Sequence, residues 1–206
     1  HINIAINKEY IEIQKYAFRK YKIKTVENKH THLVPEELEQ LERLSLTGKH
    51  MKLQKSLDAF LFCCYAGMRY SDFTNLSKKN IVDINQETWL IYKSVKTGTE
   101  VRLPLYLLFA GKGIVILNKY RNNLEDFFRL RDNSNINKDL IIIAKLAGLS
   151  KKISFHTARH TNATLLIYNG VNITTVQKLL GHKSVKTTQV YTNIMDMTIV
   201  HDLEKM

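Results

Sequence analysis

Residues that break helices are scarce in this chain. Its 206 residues include eight glycines and two prolines, well below the roughly 12% that the two together average in proteins. Glycine costs backbone entropy in any regular element, and proline removes a donor and clashes with the preceding turn. A chain with so few of both is predicted to be rich in helix, which disfavours a β-sandwich or a disordered basic tail. The length suits one domain, or a domain plus a fragment, with a single sizeable core. Lysine and arginine number 31 against 19 acidic residues, a net charge of +12. A polyanion is therefore the first partner to consider, with a merely solvated basic face as the alternative.

Residues 4–21 carry apolar positions at mixed spacing, and the polar stretch KIKTVENKHTH that follows reads as a linker. From Val34 a helix is predicted to about Leu46. Pro35 sits in its first turn, where the missing N–H costs nothing, and Glu36 and Glu37 face the positive end of the dipole. A second apolar helix, LQKSLDAFLFCCYAG, ends at Gly67, which suits a left-handed cap. Ser71 is placed to cap a short helix through Leu76. Segments 88–95 and 100–105 flank Lys96-Thr97-Gly98-Thr99 and predict a β-hairpin, the one clear β signal. Helical spacing returns over 106–120, 135–148, 156–169, 173–180, 184–191 and 195–205. The predicted fold is mainly α with a small antiparallel β-hairpin or sheet, α+β at most.

Cys63 and Cys64 are adjacent inside an apolar run and offer neither a disulfide framework nor a spaced metal site, which fits a reducing cytoplasm. No apolar stretch reaches the roughly 18 residues of a membrane span, and residues 1–8 lack a signal pattern. The first residue is His1, so the chain is expected to be a piece of something longer.

Basic residues occupy four structurally marked places: Arg69 just after a helix-ending glycine, Lys96 at the hairpin tip, His156 and Arg159 at a helix start, and His182 in the turn Gly181-His182-Lys183. At i and i+3, His156 and Arg159 project from one face and can meet one small anion. Tyr191 follows nine residues after His182. Taken singly, each has an ordinary reading as surface charge, turn chemistry or packing. His156 and His160 share a helix face with ligand-compatible spacing, but the residues between them lack a carboxylate and include a cation, so no metal is expected. His160 is assigned instead to the packing or orientation of Arg159. Residues 174–191 also have the layout of a helix-turn-helix whose second helix carries Lys183 and Lys186, which keeps a non-catalytic DNA-binding regulator open.

In combination and order the motifs A-G-M-R-Y-S-D-F-T-N-L, V-K-T-G-T-E-V-R-L-P-L, H-T-A-R-H-T-N-A-T and L-L-G-H-K-S-V-K-T-T-Q-V-Y closely resemble the catalytic motifs of the tyrosine recombinase (integrase) family over about residues 33–195. The resemblance implies a catalytic set of Arg69, Lys96, His156, Arg159, His182 and the nucleophile Tyr191, with Asp72 holding Arg69. It implies site-specific cleavage and rejoining of double-stranded DNA through a 3′-phosphotyrosine, with no cofactor and no metal, in a bacterial cytoplasm on DNA. The chain is expected to be monomeric when free and a homo-oligomer, a tetramer, on paired sites. A type IB topoisomerase-like enzyme shares this chemistry and stays open. Ala158 stands where many members have leucine, and residues 121–134 match nothing diagnostic. Residues 1–28 are expected to be a linker or the last helix of a missing N-terminal DNA-clamping domain, and 29–206 the catalytic domain with a C-terminal tail helix. In that tail Ile194, Met197, Val200, Leu203 and Met206 form an apolar stripe suited to packing in cis or against a neighbouring protomer.

Overall fold

The computed structural model describes residues 2–16 and 31–191. A short helix α1 (Ile2–Asn7) and a 3₁₀ turn (Ile13–Lys15) open the chain and bury nothing in the core. Residues 17–30, which include most of the predicted linker, and the whole apolar stripe after Asn193 lie outside the described residues. Helix α2 (Pro35–Glu42) starts as predicted, with Pro35 at its first position and the Glu37 carboxylate accepting the Val34 N–H at 2.9 Å. It stops four residues short of the expected Leu46, which packs into the core from the extended segment that follows.

Helix α3 (Gln54–Ala66) is the centre of the molecule. Every residue from Ser56 to Ala66 is buried, and Gly67 ends it with φ +65°, a conformation open to glycine without a Cβ penalty. Next comes α4 (Tyr70–Thr74), whose N-cap position belongs to Arg69; Ser71, expected as the cap, lies inside the helix.

Three antiparallel strands follow in the order β1 (Ile81–Ile84), β2 (Glu87–Lys93) and β3 (Glu100–Pro104). The β2–β3 hairpin is the predicted one, with Lys93 opposite Glu100. The additional strand β1 escaped the sequence reading because its hairpin turns on Asn85-Gln86, both at positive φ (53° and 66°), without the glycine that normally marks such a turn. The expected helix over 106–120 is split. Phe109 and Ala110 adopt left-handed backbone inside a 3₁₀ turn at Leu108–Gly111, and α5 (Lys112–Lys119) begins after it. The Phe109 ring meets Tyr65 of α3 at 5.6 Å, a tertiary contact that accompanies the break.

The unmatched stretch 121–134 contains α6 (Leu124–Phe128), capped by the Asn123 side chain, which accepts from the Asp126 amide. It delivers Phe127 and Phe128 to a cluster around Phe73, whose ring lies 5.3–6.1 Å from those of Phe62, Phe127, Phe128 and Phe155. Helix α7 (Asn133–Leu146) is capped by Asp132, and α8 (Phe155–Tyr168) packs on α3 as its main helical partner. Because Phe73 belongs to α4 and Phe155 to α8, the aromatic cluster brings the elements bearing Arg69, His156 and Arg159 together. Each buried phenylalanine stabilises the fold by about 1.5–3 kcal/mol. The described chain closes with α9 (Ile173–Leu180) and α10 (Lys186–Gln189). Four residues are too few for the recognition helix that the helix-turn-helix alternative requires. No described helix is long and apolar enough to cross a membrane.

Candidate active site

Arg159 lies at the bottom of the site, 1% exposed. One guanidinium nitrogen donates to the Gly67 carbonyl at 2.7 Å and another to the Leu180 carbonyl at 2.6 Å. Both acceptors are at helix C-termini, those of α3 and α9, where carbonyls lack intrahelical partners and the helix dipole is negative. Among the described residues no carboxylate forms a salt bridge with this buried cation, which is held by two helix ends. Burial and, secondarily, the charge of Arg69 lower its pKa to about 10, so it stays charged at neutral pH. Gly67 is needed here twice over. A Cβ on it would sit 2.6 Å from the Asn162 Oδ1, while the same asparagine donates to the Cys64 carbonyl at 2.9 Å.

Arg69 is mostly buried and lies 3.5 Å from the Asp72 carboxylate, the pairing expected. Asp72 does more than hold that arginine: it accepts the Val95 amide at 2.8 Å and lies 3.3 Å from the Ser94 hydroxyl. Ser94 in turn accepts from Arg69 at 3.3 Å. One buried carboxylate therefore joins the start of α4 to the hairpin that carries Lys96. Lys96 itself is exposed at the hairpin tip. Beside it the Thr97 hydroxyl donates to the Gly181 carbonyl at 3.1 Å, and Gly181 (φ +62°) packs so close to β3 that a Cβ would stand 2.6 Å from Val101 Cγ2. The hairpin is fastened by this contact to the turn that presents His182.

His182 is buried, with Nδ1 2.9 Å from the Thr188 hydroxyl. Burial, then the charges of Arg159, Arg69 and Lys96, lower its pKa to about 4. It is neutral at pH 7 and offers one N–H. Tyr191, 5% exposed, has its ring parallel to that of His182 at 6.5 Å. Burial raises the Tyr191 phenol, and the two arginines pull it back in part.

His156 and Arg159, expected from their i, i+3 spacing to meet one small anion, are placed at different depths. His156 stands exposed in the first turn of α8, lining a surface pocket of about 270 Å³ with Arg69, Tyr70, Ser71 and Asn133, while Arg159 is buried below. His160 corrects a second expectation. Its Nδ1 lies 3.1 Å from the Tyr191 hydroxyl, so it faces the tyrosine and not Arg159. Adjacent helical residues point about 100° apart and do not share a face. The His156 and His160 rings, four residues apart, do meet, edge to face at 4.4 Å. Lys183 and Lys186 are exposed beside the His182 turn. Among the described residues no group of three or more His, Cys, Asp or Glu is arranged to hold a metal ion. A larger hollow of about 370 Å³, between Lys52, Arg129 and Asp139, shares no residue with this cluster. The small polar residues Ser94, Thr97, Asn162 and Thr188 were not legible as site residues; only their long-range partners reveal them.

The profile of the phage integrase family matches residues 31–197. The chain belongs to the phage integrase family. Among its relatives in that family, a tyrosine recombinase of Pseudothermotoga lettingae is 30% identical over 179 residues, covering 84% of this chain and 60% of the relative. The tyrosine recombinase XerC of Rickettsia bellii is 29% identical over 162 residues, covering 74% and 52%. This phage integrase family member thus spans about half to three-fifths of the length of these curated relatives. In fold it is similar to a lambda integrase fragment, solved as a dimer bound to a COC′ core site, with a TM-score of 0.69 at 20% identity over 92% of this chain and 68% of that one. The mainly helical architecture with a small antiparallel sheet is the fold it shares with these structures, the XerA recombinase among them at a TM-score of 0.65 and 22% identity over 98% of this chain and 78% of that one.

Proposed function

We propose that residues 29–206 form the catalytic domain of a site-specific DNA recombinase that cleaves and rejoins double-stranded DNA through a phosphotyrosine. The observation that carries this reading is the convergence of Arg69, Arg159, His182 and Tyr191, drawn from four separate elements, on one partly buried cluster. Family membership and the recombinase names of the relatives support it.

In this mechanism the Tyr191 Oη attacks the scissile phosphorus in line, forming a 3′-phosphotyrosine and expelling the 5′ oxygen. Arg69 and Arg159, both forked donors, neutralise the two non-bridging oxygens as charge redistributes. Neutral His182, its Nδ1 engaged by Thr188, directs its other ring nitrogen as a hydrogen-bond donor to a phosphoryl oxygen. Lys96 protonates the departing 5′ oxygen from the hairpin tip, and His156 contributes at the rim. Since the ester conserves the bond energy, a 5′ hydroxyl of another strand reverses the step without ATP. The arginines and His182 supply the stabilisation that a metal pair supplies elsewhere. Lys183, Lys186 and the net charge of +12 favour duplex DNA as the ligand in the cytoplasm, with homo-oligomers, tetramers, forming on paired sites.

The test is incubation with duplexes nicked beside the scissile phosphate, carrying the attachment junctions of the source genome, followed by denaturing gels. A covalent protein–DNA band that persists in EDTA is expected. A requirement for added magnesium or zinc contradicts the mechanism.

A further inference from the structure

Resting on that reading, we infer that His160 is the base that accepts the phenolic proton of Tyr191 during cleavage. Three observations lead there. The Tyr191 phenol is buried and its ionisation disfavoured, so at neutral pH it reacts only if a neighbouring group takes its proton as the bond to phosphorus forms. The His160 Nδ1 is 3.1 Å from that hydroxyl, inside the range for direct proton transfer. The other histidine beside the tyrosine, His182, presents its Nδ1 to Thr188 at 2.9 Å and holds its ring parallel to Tyr191 at 6.5 Å between centroids, a stacked and not a hydrogen-bonding relation.

His160 is 7% exposed and fixed on α8 one residue after Arg159, so the rigid helix that positions a phosphate-binding arginine also positions the base. Its ring packs against the exposed His156, which buttresses it from the solvent side of the helix start. A phenol O–H donating to Nδ1 requires the imidazole to carry its proton on Nε2, the tautomer assigned here.

The step balances. As the Tyr191 Oη–phosphorus bond forms, the phenolic proton moves to His160 Nδ1, the phosphorus–O5′ bond breaks, and Lys96 supplies a proton to the 5′ oxygen. Religation runs the same transfers backward: the attacking 5′ hydroxyl returns its proton to Lys96, and His160 returns the phenolic proton to the departing tyrosine. No proton need leave the site between the two half-reactions. His160 is a catalytic residue in this sense, because it touches the reacting oxygen.

The test uses single-turnover cleavage of the nicked duplex by the full chain, with tyrosine or an ortho-fluorinated tyrosine of more acidic phenol at position 191. His160→Asn keeps a polar side chain near the hydroxyl but cannot take the proton, and His160→Gln serves as a second variant should the first melt below the assay temperature. Both are expected to slow cleavage by about 10²- to 10⁴-fold, and fluorination is expected to recover much more of the rate in these variants than in the wild-type chain. Religation should slow in parallel. Cleavage within about threefold of wild type, or a slow rate that fluorination leaves untouched, overturns the role. So does finding the loss and its recovery in His156→Asn instead. Absence of any adduct with the wild-type chain overturns the functional reading itself, and this role with it.

Discussion

Arg159 and Lys96 are two cations of one site held in opposite ways. Arg159 is sealed at the junction of α3, α8 and α9, two of its five donors holding the Gly67 and Leu180 carbonyls. Lys96 projects from an exposed hairpin tip and is guided through its neighbours, by Asp72 at the hairpin base and Thr97 at Gly181. Under the proposed mechanism the contrast separates two tasks. A group that stabilises developing charge gains most from being fixed before the substrate arrives. A group that delivers a proton to a leaving atom must reach it, and so stays outside the packed core. The price of the first arrangement is a buried charge whose removal is felt by the fold; the second leaves the fold indifferent.

The largest expected effect follows from the buried side of this contrast. Arg159→Ala leaves two helix-terminal carbonyls without donors and opens a cavity, while relieving some repulsion from Arg69. Each unsatisfied carbonyl costs about 1–3 kcal/mol, which outweighs the relief. Urea unfolding should show a net loss of about 2–4 kcal/mol, together with loss of cleavage. An unchanged midpoint breaks the comparison.

Lys96→Ala sharpens it from the other side. Stability should stay within about 0.5 kcal/mol of wild type, whereas cleavage falls by about 10²- to 10⁴-fold. A 5′-bridging sulfur, which leaves without protonation, should restore cleavage to Lys96→Ala and not to Arg159→Ala. Equal rescue of both, or of neither, makes Lys96 a phosphate clamp.

The smallest effect concerns His182, which sits between the two extremes. Its pKa is about 4 in the folded chain against an ordinary 6.5, so within that window the unfolded chain binds the extra proton. Stability contributed by neutral His182 is therefore present above about pH 6.5 and is lost as pH falls toward 4. Thermal or urea melts should show a loss of roughly 1 kcal/mol between pH 7.5 and 5.5 that His182→Gln lacks. Parallel pH dependence in the two chains contradicts the assignment.

Legibility from the sequence follows the same divide. Residues that end helices or stand in turns were visible, because Gly67, Gly98 and Gly181 mark the positions from which Arg69, Lys96 and His182 are presented. The polar residues that assemble them were not. Thr97 reaches a carbonyl 84 positions away, Asn162 one 98 away, and nothing local distinguishes either from an ordinary surface residue. The sequence alone pairs His160 with its neighbour Arg159, whereas the folded helix brings its Nδ1 to Tyr191. Strand β1 and the break at Phe109 are hidden in the sequence because both depend on left-handed backbone at residues other than glycine, which no local signal marks.

The central claim, that Tyr191 is the atom donor of a covalent protein–DNA bond, is tested most directly by protease digestion of the trapped adduct and mass spectrometry of the nucleotide-bearing peptide. The account predicts a phosphodiester on Tyr191 and no adduct in Tyr191→Phe. A nucleotide on Tyr70, Tyr168 or any other side chain contradicts it.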